Sequence, residues 1–156
     1  MDLSSSQKGL LIENYISNSI MLQGKGNIVV SKPIIDEDGV DLILYRKDDL
    51  KILFCQVKGR FSVNKRSCQF QIRKNTFRID DKIICIFVYF LEDRNSIKYI
   101  WCVPSKYVSE NRDNETDKLF VVAPSVLENT SDKWSKYRIT EDKIIDEIRK
   151  YFGNKE

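Results

Sequence analysis

Asp41, Gln56 and Lys58 are the residues whose types and spacing promise chemistry. Two strand patterns, residues 40–46 and 51–58, flank the polar turn Lys47-Asp48-Asp49-Leu50. With the turn centred between Asp48 and Asp49, the register opposes Ile43 to Phe54, Tyr45 to Ile52 and Asp41 to Gln56. Lys58 lies two residues beyond Gln56 and projects from the same face. The opposite face carries Val40, Leu42 and Leu44 against Leu53, Cys55 and Val57. Both faces are apolar for most of their length, the pattern of a sheet covered on two sides. The three polar side chains therefore gather at one end of one face, where an unsatisfied charge is costly. They can satisfy one another, as an Asp41–Lys58 ion pair bridged by Gln56. They can instead form a hard-cation site: a carboxylate oxygen from Asp41, an amide oxygen from Gln56, a backbone carbonyl near Val57, and places left for water and phosphate. Lys58 beside such a cation can orient or deprotonate an attacking water, or stabilise charge developing on phosphate. A slip of one residue scatters the trio, so register decides the matter.

The 156 residues include no histidine. That excludes Ser-His-Asp and Cys-His nucleophilic schemes, His-ligated zinc and a histidine general base. Hydrolysis must run on carboxylates, Lys, Tyr or a metal-bound water. Cys55, Cys68, Cys85 and Cys102 are far apart and form no C-x-x-C pair; three lie in apolar strand-like runs. They read as reduced core cysteines. The polar start of the chain has no secretory h-region, and no apolar stretch is long enough to span a bilayer, so a cytoplasmic protein without membrane partners is expected.

The elements that must position the trio follow from periodicity. Ser4 and Gln7 fit a capping box, and Leu11, Ile12, Tyr15, Ile16 and Ile20 recur at helical spacing over residues 5–22. Ile28-Val29-Val30 is a short strand. Cys68, Phe70 and Ile72 alternate with Gln69, Gln71 and Arg73 as a half-exposed strand. Residues 82–91 and 98–103 read as buried strands, and residues 109–118 as a polar loop. Thr140 is placed to cap a final helix with Ile144, Ile145, Ile148 and Phe152 on its buried face and Gly153 at its end. Trp134 and Tyr137 are expected to dock that helix. The whole, residues 1–156, reads as a single α/β domain: an N-terminal helix, a central mixed sheet flanked by helices, a core over residues 5–103 and a C-terminal extension over 104–156.

Charge is unevenly spread. From Lys58 to Arg78 the chain carries seven cations and no acid, against a net charge of +3, so the remainder is acidic at −4. A basic segment starting at the candidate site suits a phosphate-tracking surface. Lys58, Arg60, Lys65, Arg66, Arg73, Lys74 and Arg78 supply the charge. Gln69, Gln71 and Arg73 alternate outward, with side chains able to read base edges. A merely solvated strand face is the other reading.

At these residues the chain resembles the PD-(D/E)XK nuclease superfamily, whose core is an acid on one strand and (D/E)-x-K on the next. Gly39-Val40-Asp41-Leu42-Ile43 matches the first element and Cys55-Gln56-Val57-Lys58-Gly59-Arg60 the second. Branches such as group I intron homing endonucleases of this fold tolerate Gln at the middle position. Lys8-Gly9-Leu10-Leu11-Ile12-Glu13 looks like the first helix of Holliday-junction resolvases, where a helix Glu joins the metal site. The resemblance implies a restriction-endonuclease-like core and a Mg²⁺-dependent DNA endonuclease, with Mn²⁺ able to substitute. It implies a catalytic set of Asp41, Gln56, Lys58 and Glu13, and metal ligands at Asp41, Gln56, Val57 and Glu13. Homing, junction resolution and restriction remain open, with double-stranded or branched DNA as partner and a homodimer or homotetramer as the assembly. Gln56 removes one negative charge from the site, which Glu13 restores if its helix presents it there. A catalytically inactive DNA-binding module of the same fold is the alternative.

Overall fold

The computed structural model describes residues 3–34, 38–61 and 66–153. Helix α1 (Ser5–Gln23) starts at the capping box: Ser4 Oγ accepts the Gln7 N–H at 3.2 Å, and Gln7 Oε1 accepts the Ser4 N–H at 2.8 Å. Strands β1 (Ile28–Ser31), β2 (Leu42–Arg46), β3 (Lys51–Phe61), β4 (Phe70–Arg73), β5 (Ile83–Leu91) and β6 (Ser96–Pro104) follow. The chain closes with α2 (Ser105–Asn111), β7 (Asn114–Glu115), β8 (Leu119–Val122), β9 (Arg138–Ile139) and α3 (Ile144–Phe152). Six strands form a mixed sheet in the order β1-β2-β3-β5-β6-β9, with β3 and β5 parallel and the other pairs antiparallel. The parallel pair requires a crossover, and that connection contains β4, which joins a second sheet of order β4-β8-β7.

Both faces of the central sheet are covered, as the unbroken apolar run of β5 requires. On the first face Ile12, Ile16 and Ile20 of α1 and Ile144, Ile148 and Phe152 of α3 pack on Leu53, Cys55, Val57, Ile84 and Ile86. On the second face Phe70 and Ile72 of β4, Val108 of α2, Val122 of β8 and Trp134 pack on Cys85, Phe87, Tyr89, Trp101 and Val103. The architecture is thus the expected α/β one, with the refinement that a small sheet shares the second face with α2.

Gly59 sets how closely α1 approaches. A Cβ built there falls 2.7 Å from the Ile12 side chain, nearer than carbon atoms pack. The glycine of the Gln-Val-Lys-Gly-Arg run thus serves close helix–strand packing.

The β2–β3 turn spans four residues, with Leu50 at φ +58°. Arg46 is buried and anchors it: its Nε donates to Asp49 Oδ1 at 2.8 Å and its other end pairs with Asp49 Oδ2. It also reaches the Gly153 carbonyl at 3.3 Å and lies 4.9 Å from the centre of the Phe152 ring. The hydrogen bond from Arg46 holds Asp49 well below the usual carboxylate range. A guanidinium locked between turn and C-terminus pins the register on which the candidate site depends.

Three local expectations are corrected. Residues 109–118 are not wholly loop: α2 runs to Asn111 and β7 pairs with β8. The final helix opens with a 3₁₀ turn at Glu141–Lys143, and the Thr140 hydroxyl donates to Asp142 Oδ1 at 2.5 Å rather than capping a backbone N–H. Trp134 does not dock α3. It packs edge-on to Tyr107 of α2, at 5.7 Å between ring centres, and its Nε1 donates to Asp113 at 2.9 Å. Side-chain pairing across sequence-distant segments carries no periodic signature, so the strand and helix patterns alone misplace it.

The four cysteines are free and buried. Burial pushes the Cys68 and Cys85 thiols up to about 12, so neither is a thiolate at neutral pH. No helix among the described residues is long and apolar enough to cross a membrane.

Candidate active site

The hairpin has the register read from the sequence: Leu42 with Cys55, Ile43 with Phe54, Tyr45 with Ile52. Continued one step, it sets Asp41 across from Gln56. Asp41 lies just before β2 and is tied down twice: its N–H donates to the Cys55 carbonyl at 2.8 Å, and its Oδ2 accepts the Val57 N–H at 2.6 Å. A carboxylate gripped by a backbone N–H is held at a fixed place on the sheet.

Gln56, Lys58 and Arg60 follow along β3 on the second face, beside Cys85, Phe87 and Tyr89 of β5. Gln56 is buried and Lys58 half-buried. After burial, the largest influences on the Cys85 thiol are the Lys58 ammonium, which lowers its pKa, and the Asp41 carboxylate, which raises it. Both charges are therefore felt at Cys85, the β5 neighbour of Gln56.

Gly39 and Thr76 also belong to this place, and sequence reasoning missed them. A Cβ on Gly39 falls 2.9 Å from Gln56 Nε2 and 3.1 Å from the Thr76 carbonyl and hydroxyl oxygens. Gly39 has φ +65°, where an L side chain is strained. The only available signal was its position two residues before the acid. Gly39→Ala is expected to cost about 1–2 kcal/mol and to displace the Gln56 amide. A urea melt measures the first effect and a crystal structure of the variant the second.

The other expected residues fall as follows. Glu13 is on α1 with its carboxylate 3.4 Å from Lys32 Nζ. Asp38 pairs with Arg78 at 3.3 Å, and Arg60 Nε donates to the Gln69 carbonyl at 2.6 Å. Arg66, Gln69, Gln71 and Arg73 are exposed, with Gln71 and Arg73 on the outer face of the second sheet. Lys74 pairs with Glu115 at 2.6 Å and sits 5.2 Å from the Phe120 ring centre. Hydrogen bonds from Arg112, then Lys74, hold Glu115 down at about 2. Lys65 lies outside the described residues.

Among the described residues no group of three or more Cys, Asp or Glu side chains converges as a metal cluster. The oxygen donors at this place are the Asp41 carboxylate, the Gln56 amide and the backbone carbonyl of Val57. That set is hard and carries one negative charge. It fits Mg²⁺, which is commonly held by one or two carboxylates with substrate phosphate and retains several waters.

An N-terminal helix on a mixed sheet, with an acid before one strand and Gln-x-Lys on the next, has the architecture of a restriction-endonuclease-like core. Among solved structures the chain is similar to a bacterial homing endonuclease, I-Ssp6803I. The TM-score is 0.54 and the identity 18%, over 86% of this chain and 86% of that one. No family model and no curated protein matches the sequence.

Proposed function

We propose that the protein is a Mg²⁺-dependent DNA endonuclease that hydrolyses phosphodiester bonds at Asp41, Gln56 and Lys58, with a homing-type, site-specific role favoured by the similar structure. The observation that carries this reading is the Asp41 carboxylate, gripped by the Val57 N–H, on the same face as Gln56 and Lys58. Asp41, Gln56 and the Val57 carbonyl are the groups to hold the cation, with Glu13 as a further candidate. A bound divalent cation supplies Lewis acidity to the scissile phosphate and lowers the pKa of water. Lys58 orients the attacking water, takes its proton or stabilises negative charge on the phosphate oxygens. Arg66, Gln71 and Arg73 present a basic, amide-bearing surface to the DNA backbone and base edges. Cutting both strands calls for two copies related by a two-fold axis, so a homodimer or homotetramer in the cytoplasm is the expected form.

Incubation with Mg²⁺ and plasmid, four-way junction or genomic DNA tests the activity. Discrete, chelator-sensitive cleavage is expected, and its pattern separates homing, junction resolution and restriction. Arg66→Ala with Arg73→Ala should weaken DNA binding and reduce its salt slope by about 2. An unchanged slope rejects that surface.

One observation favours a second reading, a DNA-binding module of this fold without catalysis: the candidate trio contains a single carboxylate. Calorimetric titration with Mn²⁺ decides between them, because the inactive module takes up no metal at millimolar concentration.

A further inference from the structure

We propose that a pocket on the same sheet face, beyond Lys58, binds one nucleotide of a nucleic-acid strand. The inference rests on the nucleic-acid reading above and adds a site for a particular substrate unit.

The β3–β5 register places Tyr89 beside Arg60, one same-face step past the Lys58–Phe87 pair, or about 7 Å along the strands. At Tyr89 the sheet opens into a pocket of about 630 Å³. That is within the range of small-ligand sites and far larger than a simple anion needs. Leu91 and Leu127, with buried Tyr89 behind them, give it an apolar lining, suited to the faces of a base. Arg66, Arg94 and Lys98 stand around the same space, and none of the three makes an ion pair among the described residues. Lys8, Lys74 and Lys133, by contrast, are each matched to an acid. Asp93, Glu128 and Asn129 add acceptors able to take the amino and imino hydrogens of a base edge. Three cations against two acids leave a positive surplus, which suits a group carrying phosphate. Apolar lining, cations and acceptors together match base, phosphate and base edge.

The wall is built in advance. Arg138 donates to the carbonyls of Leu127 and Glu128 at 2.7 and 2.8 Å and lies 4.5 Å from the Tyr99 ring centre. The Arg66 carbonyl accepts the Val126 N–H at 3.0 Å. The segment carrying Arg66 is thereby fastened to the loop opposite, and little ordering remains to be done on binding.

The test is a nitrogen-15 NMR titration of the full chain, without divalent cation, using deoxynucleoside 5′-monophosphates, a short single-stranded oligonucleotide and inorganic phosphate. Saturable shifts at the Leu91 and Leu127 amides are expected with the nucleotides. They should be weaker by about tenfold with inorganic phosphate, which lacks the base. The double variant Arg94→Ala with Lys98→Ala should bind the oligonucleotide about tenfold or more weakly, with a salt slope smaller by about 1.4. An unchanged thermal melt shows that this variant is folded, and the single variant Arg94→Ala serves if it is not. Nucleotide shifts that are absent, or that persist undiminished in the folded variant, overturn the proposal. Plasmid cleavage by the unmodified protein is scored separately. Cleavage without pocket binding rejects the pocket alone, and pocket binding without cleavage rejects the endonuclease reading alone.

Discussion

Asp41→Asn is expected to lower Mg²⁺-dependent DNA cleavage on the order of a thousandfold while leaving the fold intact. The two parts of this result have separate causes. Asparagine keeps a side-chain oxygen to accept the Val57 N–H, now made to Oδ2 at 2.6 Å, so the start of β2 stays pinned. What it removes is the negative charge, and with it the only carboxylate of the Asp41–Gln56–Lys58 trio. A cation left with neutral oxygens loses most of its hold before substrate binds, and loss of one such electrostatic contribution costs about two to three orders of magnitude in rate. The check is a plasmid-nicking time course with the thermal melt of the same preparation. Full activity in Asp41→Asn with an unchanged melt rejects Asp41 as a metal ligand. Lys58→Ala belongs in the same series, because it abolishes cleavage without weakening Mn²⁺ binding if Lys58 acts on water or phosphate rather than on the metal.

The second large effect is structural and concerns the glycine between Lys58 and Arg60. Gly59→Val is expected to destabilise the protein by about 3 kcal/mol, on the order of 10 °C in melting temperature. Even a single Cβ there comes within 2.7 Å of Ile12, whose side chain is fully buried under α1. The added methyls force the helix away from the strand and open contacts to the core residues of α1. Ile12→Ala alone should cost about 2–5 kcal/mol through the cavity it leaves. Combined with Gly59→Val it should cost less than the sum, by about 1 kcal/mol or more, because each change relieves the other. Urea denaturation of the two single variants and the double closes the cycle. Strict additivity shows that α1 does not bear on β3 at this point.

The two experiments probe different layers of one motif. Gln56 and Lys58 face the second side of the sheet, where the candidate chemistry lies. Val57 and Gly59 face the first, where α1 lies. The alternation of a strand therefore lets one run of five residues carry a site on one side and a helix seat on the other.

Much of this was legible in the chain before any coordinates. The Ser4–Gln7 box, the helical recurrence of Ile12, Ile16 and Ile20, and the pairing of residues 42–46 with 51–55 are local, and local patterns are set by backbone geometry and period. The β2–β3 register is held across the four-residue turn Lys47-Asp48-Asp49-Leu50. The reason is tertiary: buried Arg46 grips Asp49 and the end of α3 from the far terminus of the chain. Trp134 was misplaced for the complementary reason, because its partners Tyr107 and Asp113 are chosen by packing and not by spacing.

Residue types and periods alone determined that the chain has no histidine chemistry, that Gln56 and Lys58 share a strand face, and that a basic segment follows them; Asp41 joins them through the β2–β3 register. Only the tertiary structure decided that β4 joins a second sheet with β8 and β7 rather than the central one. Only the tertiary structure, too, brought Gly39 and Thr76 against Gln56, and Arg94 and Lys98 to the same pocket as Arg66. Period 2 states which residues share a face, but a crossover between parallel strands can be filled in many ways. The filling is selected by which apolar surfaces must be covered, and that is a property of the whole chain.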